Sequence, residues 1–185
     1  MSAANEDWVG DVIGFWFKEL GRAKWFAKDD SVDSAIRERF LLLYEVLSTW
    51  AAKDALASPE RALATVLVLD QFPRNIFRND PQAFATDELA RAVAHGAVAK
   101  ELDKALAPEQ RIFLYLPFEH SEDREDQARS VALISALGDE EFTRYAEAHK
   151  AVIDRFGRFP HRNAVLGRPS TPEEEAFLAE PGSSF

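Results

Sequence analysis

The chain has 185 residues, 46% of them hydrophobic and 29% charged, with a formal net charge of −10. Its apolar content excludes wholesale disorder. The length suits one domain that buries roughly 70% of the surface its unfolded chain exposes. The acidic field opposes a phosphate backbone, so no nucleic-acid partner is expected. No apolar run approaches the ~20 residues of a membrane helix, and the opening Met1–Trp8 lacks the basic-then-apolar order of a secretory signal. Without cysteine there is neither disulfide nor thiolate chemistry. The expectation is one soluble, cytoplasmic domain over residues 1–185, with no membrane partner and no assigned oligomeric state.

Helix signals dominate in chain order. Val9, Val12, Ile13, Trp16 and Leu20 form a first helical stripe. Asp29 to Ser31 offer caps for a second, longer helix with the seam Val32, Ile36, Phe40, Leu43, Leu47 and Trp50. Ser58-Pro59-Glu60 starts a third, expected to stop near Phe72 because Pro73 cannot continue it. Asn79-Asp80-Pro81 marks a turn, and Thr86-Asp87-Glu88 opens an Ala-rich helix able to pack closely. Pro108 starts a helix ending near Leu116-Pro117, and Ser121 is expected to cap the next. Asp139-Glu140-Glu141 opens a helix closed by Gly157, Thr171-Pro172-Glu173-Glu174 reads as a capping box, and Pro181 to Ser184 reads as a terminal turn. The sum is an all-α chain of about seven to nine helices joined by short connections, with no repeat of about 34 residues.

Three segments put polar residues where the pattern asks for apolar ones. In Leu69–Arg78, Asp70 falls on the inward stripe of Leu63, Val66 and Leu67. If one more turn persists past Pro73, Arg74 comes within reach of it. A buried carboxylate and guanidinium must pair with each other or hold a ligand. In Leu116–Asp123, Glu119 and His120 lie at an elbow between helices, where an imidazole beside acids suits a general base and a plain loop is the alternative. From Arg155 to Ser170 there are arginines and no acid, with His149 on the apolar stripe upstream. Arg155, Arg158 and Arg162, with His161, suit a grip on carboxylate or phosphate, or equally on the chain's own acids, Asp70 and Glu119 included. No metalloprotease, EF-hand, P-loop, Rossmann or nucleophile-elbow motif is present, and no two ligands show metal spacing, so neither metal nor cofactor is expected. Trp25-Phe26, in a short polar connection, is a candidate lid.

The segments L-D-Q-F-P-R-N-I-F-R, L-P-F-E-H-S-E-D and R-F-G-R-F-P-H-R-N, the last followed by L-G-R-x-S-T, resemble the bacterial domain-of-unknown-function family nine-two-four. Trp25-Phe26, Glu174 and Phe177-Leu178 support the resemblance, which covers nearly the whole chain. It implies a compact, antiparallel, tetratricopeptide-like all-α array, and it implies no reaction.

The leading expectation is that the three segments converge on a cleft for a small anionic or carboxylated ligand. Asp70, Arg74, Arg155, Arg158, His161, Arg162 and Trp25 would bind it. Glu119, His120 and His149 would supply acid–base chemistry of a hydrolase type. Two rivals use the same residues: a scaffold for a protein or peptide partner along a helical surface, and a purely structural polar core.

Overall fold

The computed structural model describes residues 8–183, and every regular element among them is helical. The chain divides into two compact units. Among the described residues, one comprises those up to Arg78 together with Gln82–Pro117; the other comprises Asn79–Pro81 and those from Phe118 onward.

In the first unit, α1 (Trp8–Gly14) runs directly into a π-helical segment, Phe15–Leu20, and buries Val12, Phe15 and Trp16. Helix α2 (Asp30–Leu47) starts on Asp29, whose carboxylate accepts the Ser31 and Val32 amides. Its buried seam is Val32, Ile36, Phe40, Tyr44 and Leu47. Tyr44 thus takes the place expected for Leu43, because a repeat of four residues carries the stripe from Phe40 to Tyr44. Phe15, Trp16, Trp25, Phe40, Phe72 and Phe113 meet in an edge-to-face aromatic core.

Helix α3 (Pro59–Val66) begins on Ser58, whose hydroxyl accepts the Arg61 amide at 3.1 Å. The expected stop at Phe72 is wrong: the helix passes through a π-helical segment, Leu67–Gln71, into α4 (Phe72–Ile76). Here the Phe72 amide reaches back to the Leu67 carbonyl, which shifts the register. Pro73 then enters in the first turn of α4, where a missing N–H costs least. The Leu69 carbonyl, whose ordinary helical donor would be the amide of residue 73, instead accepts the Thr86 hydroxyl at 2.6 Å. Thr86 directly precedes α5 (Asp87–Ala99). Close packing of that helix is visible at Gly96, where a Cβ would lie 2.5 Å from Leu56 Cδ1. Helix α6 (Pro108–Glu119) continues beyond its expected end and carries Pro117 inside it, so Glu119 is the last helical residue and not part of an open elbow.

In the second unit, α7 (Arg124–Ser135) is capped by Asp123, which accepts the Glu125 and Asp126 amides, and not by Ser121 as expected. The Ser121 hydroxyl bonds to Asp126 Oδ2 at 2.9 Å and accepts the Asp123 amide at 3.1 Å, which leaves the ionised side chain to meet the helix end. Helix α8 (Glu140–Phe156) packs along α7, starts on Asp139 and ends at Gly157, whose φ of +72° requires no Cβ to be placed in the left-handed region. A 3-10 turn (Pro160–Arg162) and α9 (Pro172–Leu178) follow, the latter with the expected Thr171/Glu174 capping box. Of the expected terminal turn, Gly182 has a φ of +81° and Ser184 lies outside the described residues.

Thr86→Val leaves the Leu69 carbonyl buried without its donor and should cost about 1–3 kcal/mol in urea denaturation. Adding Pro73→Ala, which restores an N–H at the ordinary register, should recover part of that loss.

Candidate functional site

Two polar clusters hold the residues singled out in the sequence, one in each unit. In the first, Asp70 is fully buried and Arg74 sits one turn on, with Nη1 3.5 Å from Asp70 Oδ1. The turn past Pro73 that this pairing needs is therefore present. Arg74 also forks onto both oxygens of Asp87, each at 3.0 Å, and bonds the Asp70 carbonyl. Gln71 Nε2 donates to Asp70 Oδ2 at 2.6 Å. This arrangement ties α4 to the start of α5. Trp25 is buried, at 4% exposure, with its indole N–H on the Trp16 carbonyl at 2.8 Å and its ring against Phe17 and Phe113. It is a core residue here and not a lid, because both the ring and its donor are used in packing.

The second cluster is built around Phe159, which is fully buried. His149, from the inward face of α8, lies edge-on to the Phe159 ring with centroids 5.6 Å apart. His161 lies 5.6 Å from the same ring, and the buried Arg162 places its guanidinium 4.5 Å over it. His120 follows directly after α6, 6.2 Å from the His149 ring. Glu119 is buried beside them. Five residues picked from two separate sequence segments thus share one neighbourhood.

The centre of the cluster is the His149 Nδ1 atom. It lies 2.8 Å from the Tyr145 carbonyl oxygen, one helical turn back, and 3.2 Å from Glu119 Oε1. Two oxygens on one nitrogen require that nitrogen to carry the proton, which assigns the Nδ1–H form and leaves Nε2 unprotonated in the neutral ring. Burial pushes the imidazole pKa down to about 3, and the neighbouring charges of His120, Arg162 and His161 push the same way against the Tyr145 carbonyl. His149 is accordingly neutral at physiological pH, although a carboxyl group lies beside it.

Arg155 and Arg158 do not join this cluster. Arg155 donates Nε and Nη2 to Glu173 at 3.2 and 3.1 Å and stacks over Phe156 and Phe177. Arg158 forks onto the buried Glu174 at 2.6 and 2.8 Å. Both therefore fasten α9 to the end of α8, and their acids are Glu173 and Glu174, not Asp70 or Glu119. Glu174 also accepts the Thr171 amide at 2.7 Å and is within 3.4 Å of Asn163 Nδ2. The Arg158 fork, against the cost of burial, holds its carboxyl down at about 2. Phe159, Glu122, Asn163 and Arg168 were not among the expected site residues. The signal for Glu122 and Glu174 was present in the acid-free arginine stretch itself, which had to find its counter-charges outside residues 155–170.

Among the described residues no group of three or more His, Cys, Asp or Glu side chains is arranged to hold a metal. No helix among them is long and apolar enough to cross a membrane. A shallow surface depression at the α7–α8 turn, lined by Ser135, Gly138, Glu140, Thr143 and Arg144, contains none of the expected site residues.

A family model described as "Bacterial protein of unknown function (DUF924)" matches residues 12–182. The chain belongs to this family. A solved structure of a protein of unknown function from Agrobacterium tumefaciens is 40% identical and superimposes with a TM-score of 0.88, covering 92% of this chain and 96% of that one. The search of curated proteins found no match. Both polar clusters of this DUF924 chain lie within the matched residues.

The depressed His149 pKa sets a sign for acid stability. The unfolded imidazole takes up a proton below its ordinary 6.5, whereas the folded one refuses it until about 3, so stability falls as pH drops through that window. The loss should be on the order of 1 kcal/mol per pH unit between about pH 6 and 4.5, where most carboxylates still hold their charge. Urea denaturation of His149→Gln should show a clearly shallower slope there. Glu174 adds its own loss lower down, between its ordinary 4.5 and about 2. Glu174→Gln should cost on the order of 2–3 kcal/mol at neutral pH by thermal denaturation, because it removes the charge-assisted fork.

Proposed function

We propose that the His149 cluster is a site for a small anionic or carboxylated ligand, at which His149 acts as a general base. The observation that carries this reading is the buried His149 ring with Nδ1 set between the Tyr145 carbonyl at 2.8 Å and Glu119 Oε1 at 3.2 Å. A ring fixed in that tautomer offers Nε2 as the acceptor for a proton from water or from a ligand hydroxyl. The imidazolium formed by that transfer would gain the Glu119 carboxyl 3.2 Å from Nδ1, in the manner of an acid that orients and supports a catalytic histidine. The Arg162 guanidinium gives the neighbourhood the positive charge that an anion requires, in a chain whose net charge is −10. Acid–base hydrolysis is the reaction class that fits these roles.

A second reading, a helical scaffold for a peptide or protein, has support in α2. Leu42 and Val46 stand one turn apart there, 77% and 56% exposed.

Thermal denaturation against carboxylates, phosphorylated metabolites and nucleotides tests the first reading. A ligand at about a hundred times its Kd adds roughly 2.7 kcal/mol, a rise of several degrees for a domain of this size. We expect a shift confined to one anionic class, lost in Arg162→Met and retained in Arg155→Met, with turnover of that class lost in His149→Gln. No shift across the panel contradicts the ligand reading and favours the scaffold.

A further inference from the structure

The rings of His149 and His161 and the Arg162 guanidinium all lie against Phe159, whose own placement therefore matters to the cluster. Its backbone is gripped on both sides by one ion pair. The Phe159 amide donates to Glu122 Oε1 at 2.8 Å. The Phe159 carbonyl accepts from Arg168 Nη2 at 3.2 Å. Glu122 and Arg168 are joined to each other by a fork, Nη1 to Oε2 at 2.8 Å and Nη2 to Oε1 at 2.9 Å. Arg168 is further fixed by Asn163, through Nε to Oδ1 at 3.0 Å and its own amide to the Asn163 carbonyl at 2.8 Å.

From this geometry we infer that Glu122 and Arg168 are positioning residues, a clamp on the Phe159 main chain that sets the Phe159 ring against His149 and His161. The inference rests on the proposed role of the His149 cluster, to which it adds two residues.

The chemistry fits a device for holding a loop. Phe159 lies in the connection between Gly157 and the 3-10 turn, where few backbone groups have helical partners. A planar guanidinium can bind a carboxylate with two donors and still reach a carbonyl, which lysine cannot do with the same rigidity. Both members of the pair are part-buried, so the fork is screened less than a surface pair. The surface fork between Arg155 and Glu173, with side chains 48% and 67% exposed, provides the contrast.

The test reads the imidazole ring protons of His149 and His161 by NMR in Arg168→Lys, with Phe159→Leu as the reference for complete loss of the aromatic ring current and Arg155→Lys as the control. We expect Arg168→Lys to move both imidazole signals toward their Phe159→Leu positions while Arg155→Lys leaves them in place. A generally destabilised but correctly placed loop would lower Tm without moving them. Because a single change could leave Glu122 without its counter-charge, the pair Glu122→Gln with Arg168→Gln is measured alongside, since two amides leave no lone charge. Folded variants whose imidazole signals stay at the native positions overturn the clamp. Should the signals move while the ligand panel remains flat in the unaltered protein, the clamp stands and the ligand reading fails.

Discussion

The state of the buried histidine in the second unit is set by a single nitrogen flanked by two oxygens. His149 Nδ1 is the donor to the Tyr145 carbonyl at 2.8 Å and faces Glu119 at 3.2 Å, and from those contacts follow the tautomer, the unprotonated Nε2 and the ring's orientation. Burial then makes the ring neutral, since an imidazolium here would be desolvated among other cationic groups. The carboxyl group on the same side and the nearby Arg162 are the features that the proposed proton transfer and anion binding would use.

The arginines around it divide by what they bind. Arg155, Arg158 and Arg168 each engage a glutamate through two donors, and these forks fasten α9 and the stretch from Gly157 to Ser170. Arg162 is the buried arginine of that stretch that lies against Phe159 and contributes its charge to the His149 neighbourhood. The reading of this segment as a set of internal ion pairs holds for Arg155, Arg158 and Arg168, and the proposed ligand site draws on Arg162.

Much of the secondary structure was legible because caps are local chemistry. Asp29, Ser58, Asp139 and Thr171 announce their helices within a few residues. The failures share a cause as well. Pro73 and Pro117 read as stops, yet a π-helical segment and a continued helix carry the chain past them. At Pro73 the freed Leu69 carbonyl is met by a distant donor, Thr86, which no local window contains. Ser121 was misread as a cap for want of knowing that Asp126 and Asp123 would engage it. In the site, Glu119, His120, His149, His161 and Arg162 stood out as polar residues in apolar surroundings. Phe159 and the clamp of Glu122 and Arg168 did not, because a phenylalanine looks like core and an ion pair 46 residues apart leaves no pattern.

The most direct test of this account is nitrogen-15 NMR of the His149 imidazole between pH 5 and 8. The account predicts a protonated Nδ1, an unprotonated Nε2 and resonances that do not move across that range. A ring that titrates near 6.5, or one that carries its proton on Nε2, would contradict it.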